Sequence, residues 1–121
     1  MNEHEKINYL EFPVRDIAEE KRFFAEAFGW TFIDYGEDYC AFSGAGIDGG
    51  FYRADLAASS GSGNGSMLVV FYSEGLSQTM DKVLAAGGTL VKPIFEFPGG
   101  RRFHFADPNG NEFAVWSDTL P

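Results

Sequence analysis

At 121 residues the chain is long enough for one hydrophobic core and too short for two. Its net charge of −9, with no basic cluster larger than Arg101-Arg102, excludes a nucleic-acid partner, whose phosphates would be repelled. No run of about 18 apolar residues is present to span a bilayer, the polar, acidic Met1–Lys6 start is no secretory signal, and a lone Cys40 excludes a disulfide framework or thiolate metal site.

A cytoplasmic protein is expected. Thirteen Phe, five Tyr and two Trp exceed what so small a core needs, so an aromatic-walled pocket is expected beside the core Phe residues.

In chain order, residues 7–14 alternate, with Leu10, Phe12 and Val14 on one face and Tyr9, Glu11 and Pro13 on the other, as in a half-buried strand. Asp16 with Glu19 three residues on reads as a capping box. Ile17, Phe24, Ala27 and Phe28 then recur at helical spacing up to a Gly29 stop. Short strands are predicted at Trp30–Tyr35, Tyr39–Ser43 and Ile47–Arg53, and a Gly/Ser/Ala linker at 55–66. Beyond it come a strand at 67–72, a helix with the stripe Leu76, Met80, Val83 and Leu84 ending at Gly87-Gly88, and strands Thr89–Phe95, Arg102–Ala106 and Glu112–Ser117.

The order strand–helix–three strands therefore occurs twice, in modules at about 6–54 and 67–118 of one domain. Setting Gly29 on Gly87 puts Tyr9 over Met67; setting Gly46 on Gly110 puts Gly50 over Ala114 and Tyr52 over Trp116. The expected fold is α+β: two paired βαβββ modules forming a curved mixed sheet around a cavity.

Three stretches carry a resemblance beyond element order. They are Phe12-Pro13-Val14-Arg15-Asp16 leading to Phe23–Trp30, then Leu84–Gly88, then Asp107-Pro108-Asn109-Gly110-Asn111-Glu112. Together they resemble the vicinal oxygen chelate superfamily of glyoxalases, bleomycin-resistance proteins and dioxygenases, over about Ile7 to Ser117. The resemblance implies a homodimer, with modules paired within or between chains, and a divalent metal held by one residue from the first and last strand of each module. Carried over, those positions fall on Tyr9, Gly50, Met67 (Leu68 if the alignment slips by one) and Ala114. Gly and Ala cannot ligate, and Met suits hard divalent ions poorly. No cofactor is therefore expected, and isomerase, dioxygenase and thiol-transferase activities lose their metal.

By the two-residue period, the resemblance makes Tyr9, Glu11, Tyr52, Met67, His104, Glu112 and Trp116 the cavity lining, with Arg102 at its lip available to a ligand's anionic group. Glu11 and His104 are the proton-transfer candidates. A rearranged metal site of Glu11, His104 and Glu112 would need three separate strands to converge, which nothing in their spacing demands. Two readings follow. One is a metal-free protein binding a small aromatic or cationic ligand. The other is a lyase, isomerase or dioxygenase-like enzyme using Glu11 and His104.

Overall fold

The computed structural model describes residues 2–59 and 65–119; residues 60–64 of the expected linker lie outside them. Module one runs β1 (Tyr9–Val14), α1 (Ile17–Phe28), β2 (Thr31–Asp34), β3 (Tyr39–Ser43) and β4 (Asp48–Arg53). Module two runs β5 (Val69–Tyr72), α2 (Leu76–Ala85), β6 (Thr89–Phe97), β7 (Gly100–Ala106) and β8 (Glu112–Ser117). Each module builds a four-stranded mixed sheet, ordered β1-β4-β3-β2 and β5-β8-β7-β6. In both, the first strand runs parallel to the last and the other neighbours are antiparallel. The α+β class and the repeated βαβββ unit are as expected. β1 is an edge strand, where the N–H that Pro13 lacks is tolerated.

α1 has the ends its sequence announces. The Asp16 side chain accepts from the Glu19 N–H at 3.1 Å, and Gly29 (φ 73°) closes the last turn in the left-handed region. α2 starts at Gly75 without a side-chain cap and ends at Ala86, one residue before the positive-φ Gly87. It has 10 residues against 12 in α1, and the strand pairing lies one residue away from the overlay of Gly29 on Gly87. Glu11 pairs with Gly50, and Val70 with Ala114, so the counterpart of Tyr9 is Leu68, not Met67. Leu84, placed on the apolar stripe by its spacing, faces solvent.

The helix-bearing sides of both sheets share one core. Phe12, Phe42 and Phe51 come from the first sheet, Phe103, Phe105, Phe113 and Val115 from the second, with Phe23, Phe24 and Ala27 of α1 and Val83 of α2 among them. Ring contacts cross the boundary: Phe12–Phe113 at 5.3 Å, Phe24–Phe113 at 5.4 Å and Phe28 stacked on Phe71 at 4.3 Å. Such pairs add about 0.5–1.5 kcal/mol each beyond area burial. Most of the Phe surplus is thus core, and among the described residues no helix packs on the opposite side, or bare face, of either sheet.

A polar seam fixes the modules to each other. Asn109 Oδ1 accepts from the Arg15 and Asp16 N–H groups at 3.0 and 2.8 Å, and Asn111 Nδ2 donates to the Pro13 carbonyl at 2.8 Å. The segment after β4 is stitched in as well, with Ala58 N–H donating to Asn111 Oδ1 at 2.7 Å and Glu112 N–H to the Ala58 carbonyl at 2.8 Å. Asp107 Oδ1 holds the turn by accepting from the Asn109 and Asn111 N–H groups. Fully buried Glu20 of α1 accepts from Asn109 Nδ2 through Oε1. Its Oε2 and Asp107 Oδ2 are buried without a hydrogen-bond partner, and the proximity of the two carboxyls favours the protonated form of Glu20.

Burial, and then Asp107, push the Glu20 carboxyl up to about 10; burial raises Asp107 too. Because the folded chain keeps a proton that the unfolded chain releases above about pH 4.5, stability from this group is complete below that pH and drains away as pH rises toward 10. Glu20→Gln supplies a permanent N–H to Asp107. Thermal melts between pH 5 and 9 are expected to fall with pH in the wild type and to flatten in Glu20→Gln, which becomes the more stable protein at pH 9.

Candidate functional site

The bare face of the first sheet carries a hydrogen-bonded chain. Tyr39 on β3 donates its hydroxyl to Glu11 Oε2 at 2.9 Å, and its oxygen lies 2.5 Å from the Tyr9 hydroxyl. One hydroxyl carries one proton, so the order is Tyr9 to Tyr39 to the Glu11 carboxylate. Register explains the meeting. Ala41 pairs with Gly50 and Tyr39 with Tyr52, so the Tyr39 ring leans diagonally across the side-chain-free Gly50. A Cβ at Gly50 would collide with the Tyr39 phenol and the Cys40 carbonyl. Burial, then the hydrogen bonds to Tyr9 and Glu11, raise the Tyr39 phenol above its ordinary range. Tyr52 shares this face, opposite Tyr39.

This cluster bears directly on the metal positions implied by the resemblance. The place of one ligand, Gly50, is filled by Tyr39. Tyr9 is engaged with Tyr39, Ala114 is fully buried without a donor, and Met67 lies ahead of β5 with 87% of its surface exposed. Its register replacement, Leu68, has no donor either. The donor set does not fit the family's metal. Among the described residues, no three of His, Cys, Asp and Glu converge as ligands.

The bare face of the second sheet carries a different group. Arg102 Nε donates to His104 Nε2 at 3.1 Å, so that ring nitrogen is an acceptor and the proton sits on Nδ1. Burial first, then the Arg102 and Lys92 charges, lower the His104 pKa, while Glu112 opposes them. The Arg102 guanidinium lies 5.9 Å from the Phe95 ring centre and 5.6 Å from that of Phe97, within cation–π reach. Trp116 meets Tyr72 edge-on at 5.1 Å and Phe97 at 6.3 Å. Two irregularities in the β6–β7 ladder bring Lys92 opposite His104 and Phe95 opposite Arg102. Pro98-Gly99 is a tight hairpin between Phe97 and Gly100, so the expected lip is the β6–β7 turn.

The sequence-derived lining is thus divided. Tyr9, Glu11 and Tyr52 lie on the bare face of one sheet, and Arg102, His104, Glu112 and Trp116 on that of the other. Tyr39, Tyr72, Phe95 and Phe97 join them unannounced. A signal existed for Tyr39, an aromatic diagonal to a strand glycine; Phe95 and Phe97 depend on ladder irregularities that alternation cannot foresee.

Comparison with known proteins agrees with the architecture. The model of the Glyoxalase/Bleomycin resistance protein/Dioxygenase superfamily matches residues 6–115, and the chain belongs to that superfamily. No curated protein matches. Among solved structures it is similar to a glyoxalase-related enzyme from Fulvimarina pelagi (TM-score 0.77, 19% identity, 93% of this chain and 88% of that one). It is also similar to the fosfomycin resistance protein FosX from Listeria monocytogenes (0.76, 18%, 95% and 94%) and to TioX from Micromonospora sp. ML1 (0.70, 16%, 94% and 99%). At these identities the likeness is one of fold. No helix among the described residues is long and apolar enough to cross a membrane.

Two titrations test the geometry. Spectrophotometric titration of the tyrosines is expected to show a late-ionising phenol that Tyr39→Phe removes. An NMR titration of His104 should give a pKa below 6.5 that moves back up in Arg102→Met, where one of the opposing charges is gone.

Proposed function

We propose that this chain is a metal-free member of its superfamily that binds a small planar ligand, with the two bare faces brought together by a second copy. The observation that carries the reading is the Tyr39 phenol seated over Gly50 and held by Glu11. It occupies the space in which a metal ligand would have to stand. Trp116, Tyr72 and Phe97 supply ring surface on the second sheet, and Arg102 has donors beyond the one committed to His104, suited to a carbonyl or anionic group on an aromatic ligand.

The dimer rests on apolar surface left open in one chain. Tyr9 is 43% exposed, Val70 43%, Tyr72 50% and Phe95 38%, all on bare faces and more than scattered surface residues would need. Pairing module one of one copy with module two of the other would reunite the Glu11 and His104 groups. A cytoplasmic setting completes the reading.

A second reading keeps an enzyme. The Tyr9–Tyr39–Glu11 chain is continuous and ends in a carboxylate, an arrangement able to pass a proton from a bound substrate. His104 is less apt, because its acceptor nitrogen is occupied by Arg102.

Elemental analysis of purified protein is expected to find no stoichiometric divalent metal; one bound ion per chain overturns the metal-free reading. Light scattering is expected to give twice the chain mass, and a monomer overturns the shared site. In a thermal-shift screen of aromatic carboxylates and carbonyl compounds, Trp116→Ala is expected to lose any shift the wild type shows. Turnover lost in Glu11→Gln and Tyr39→Phe would favour the enzyme instead.

A further inference from the structure

The joint between the modules has two sides that correspond under the repeat, and only one is closed. On the closed side, the turn before β8 meets the end of β1 through Asn109 and Asn111, with the 54–58 segment laid across it. On the other side, the turn before β4 meets β5. Gly110 and Gly46 hold equivalent left-handed positions at φ 88° and 94°, so the counterparts of Asn109 and Asn111 are Ala45 and Ile47. Neither side chain can hydrogen-bond to a strand backbone. The joint stays open there as a groove of about 380 Å³ that runs between Ala45-Gly46-Ile47 and Val69–Tyr72 into the aromatic core.

We infer that this groove is a binding site for a small uncharged apolar molecule, of the size of a monocyclic aromatic hydrocarbon. Its depth is formed by Leu10, Phe12, Trp30, Phe42, Phe71 and Phe113. Among the described residues no charged side chain lines it, in a chain where 22% of residues are charged, so it offers an ion no charged partner. The one hydroxyl among its lining side chains, that of Tyr72, is already bonded to Asp118 at 2.6 Å. A groove lined mainly by apolar side chains gains by accepting apolar surface, and its volume falls in the range of small-ligand pockets. Trp30 and Phe42, stacked with ring centres 4.6 Å apart, line the same wall.

The groove is separate from the bare-face sites. Tyr9, Glu11, Tyr52, Arg102, His104, Glu112 and Trp116 are all absent from its lining. Val70 and Tyr72 are common to both, lining the groove and forming part of the exposed surface that the proposed dimer would cover, and the experiment keeps the two readings apart.

Toluene is the probe. Added below its solubility limit, it is expected to raise the melting temperature of the full-length protein saturably, by about 3 °C. Ala45→Leu, which fills the rim, should abolish the rise, and Trp116→Ala should retain it. Iodobenzene provides a second measurement that needs no groove variant: in Trp116→Phe, where Trp30 is the remaining tryptophan, it should quench the fluorescence saturably. No saturable shift in the wild type, a shift that survives in a folded Ala45→Leu, or absence of saturable quenching in Trp116→Phe overturns the site. So does a change of oligomeric state in Ala45→Leu, which would mean that a second copy fills the groove.

Discussion

The turn from Asp107 to Asn111 holds this molecule together. Its two asparagines take hold of β1 and the start of α1, its aspartate orders its own backbone, and Glu20 reaches into it from α1. Buried polar groups are costly unless each finds a partner. The seam meets that condition with one exception, the buried carboxyls of Glu20 and Asp107, each of which keeps one oxygen unpartnered and a raised pKa. The orientation of one module on the other, and hence the separation of their bare faces, follows from this contact and from the Phe-rich core behind it.

The repeat that builds the fold is imperfect in ways that carry its chemistry. Where one turn has Asn109 and Asn111, the other has Ala45 and Ile47, so one joint closes and the other stays open. Where the superfamily resemblance implies a metal ligand, Gly50 admits the phenol of Tyr39. The same superfamily architecture is thus armed differently. A chain of two phenols and a carboxylate stands on one sheet, and an aromatic cluster around an arginine on the other.

Much of this was legible from residues alone. Alternation placed Tyr9 with Glu11 because a strand repeats every two residues, the superfamily resemblance set Tyr52 on the same face, and Asp16 and Gly29 bounded α1 because capping is local chemistry. Arg102 and His104 fell on a common face for the same reason. Met67 did not fit, because the overlay set Gly29 on Gly87, whereas the strand pairing sets it on Gly88, one residue further on. Phe95 and Phe97 escaped because β6 departs from strict alternation twice, and Tyr39 because its partner is a glycine two rows away on the next strand.

The sequence by itself determined the element types, the α+β class and the repeat, and showed Gly50 and Ala114 to be without a donor atom. Each of these depends on neighbours within one helix turn or one strand period, or on the plain chemistry of Gly and Ala. Tertiary structure alone decided that the helix-bearing sides of the two sheets share a core, that the expected lining divides into two groups, and that one joint is open. Those outcomes depend on which asparagine reaches which backbone amide across some 95 residues of chain, as with Asn109 and Arg15, separated by 94 positions. No local pattern encodes that distance.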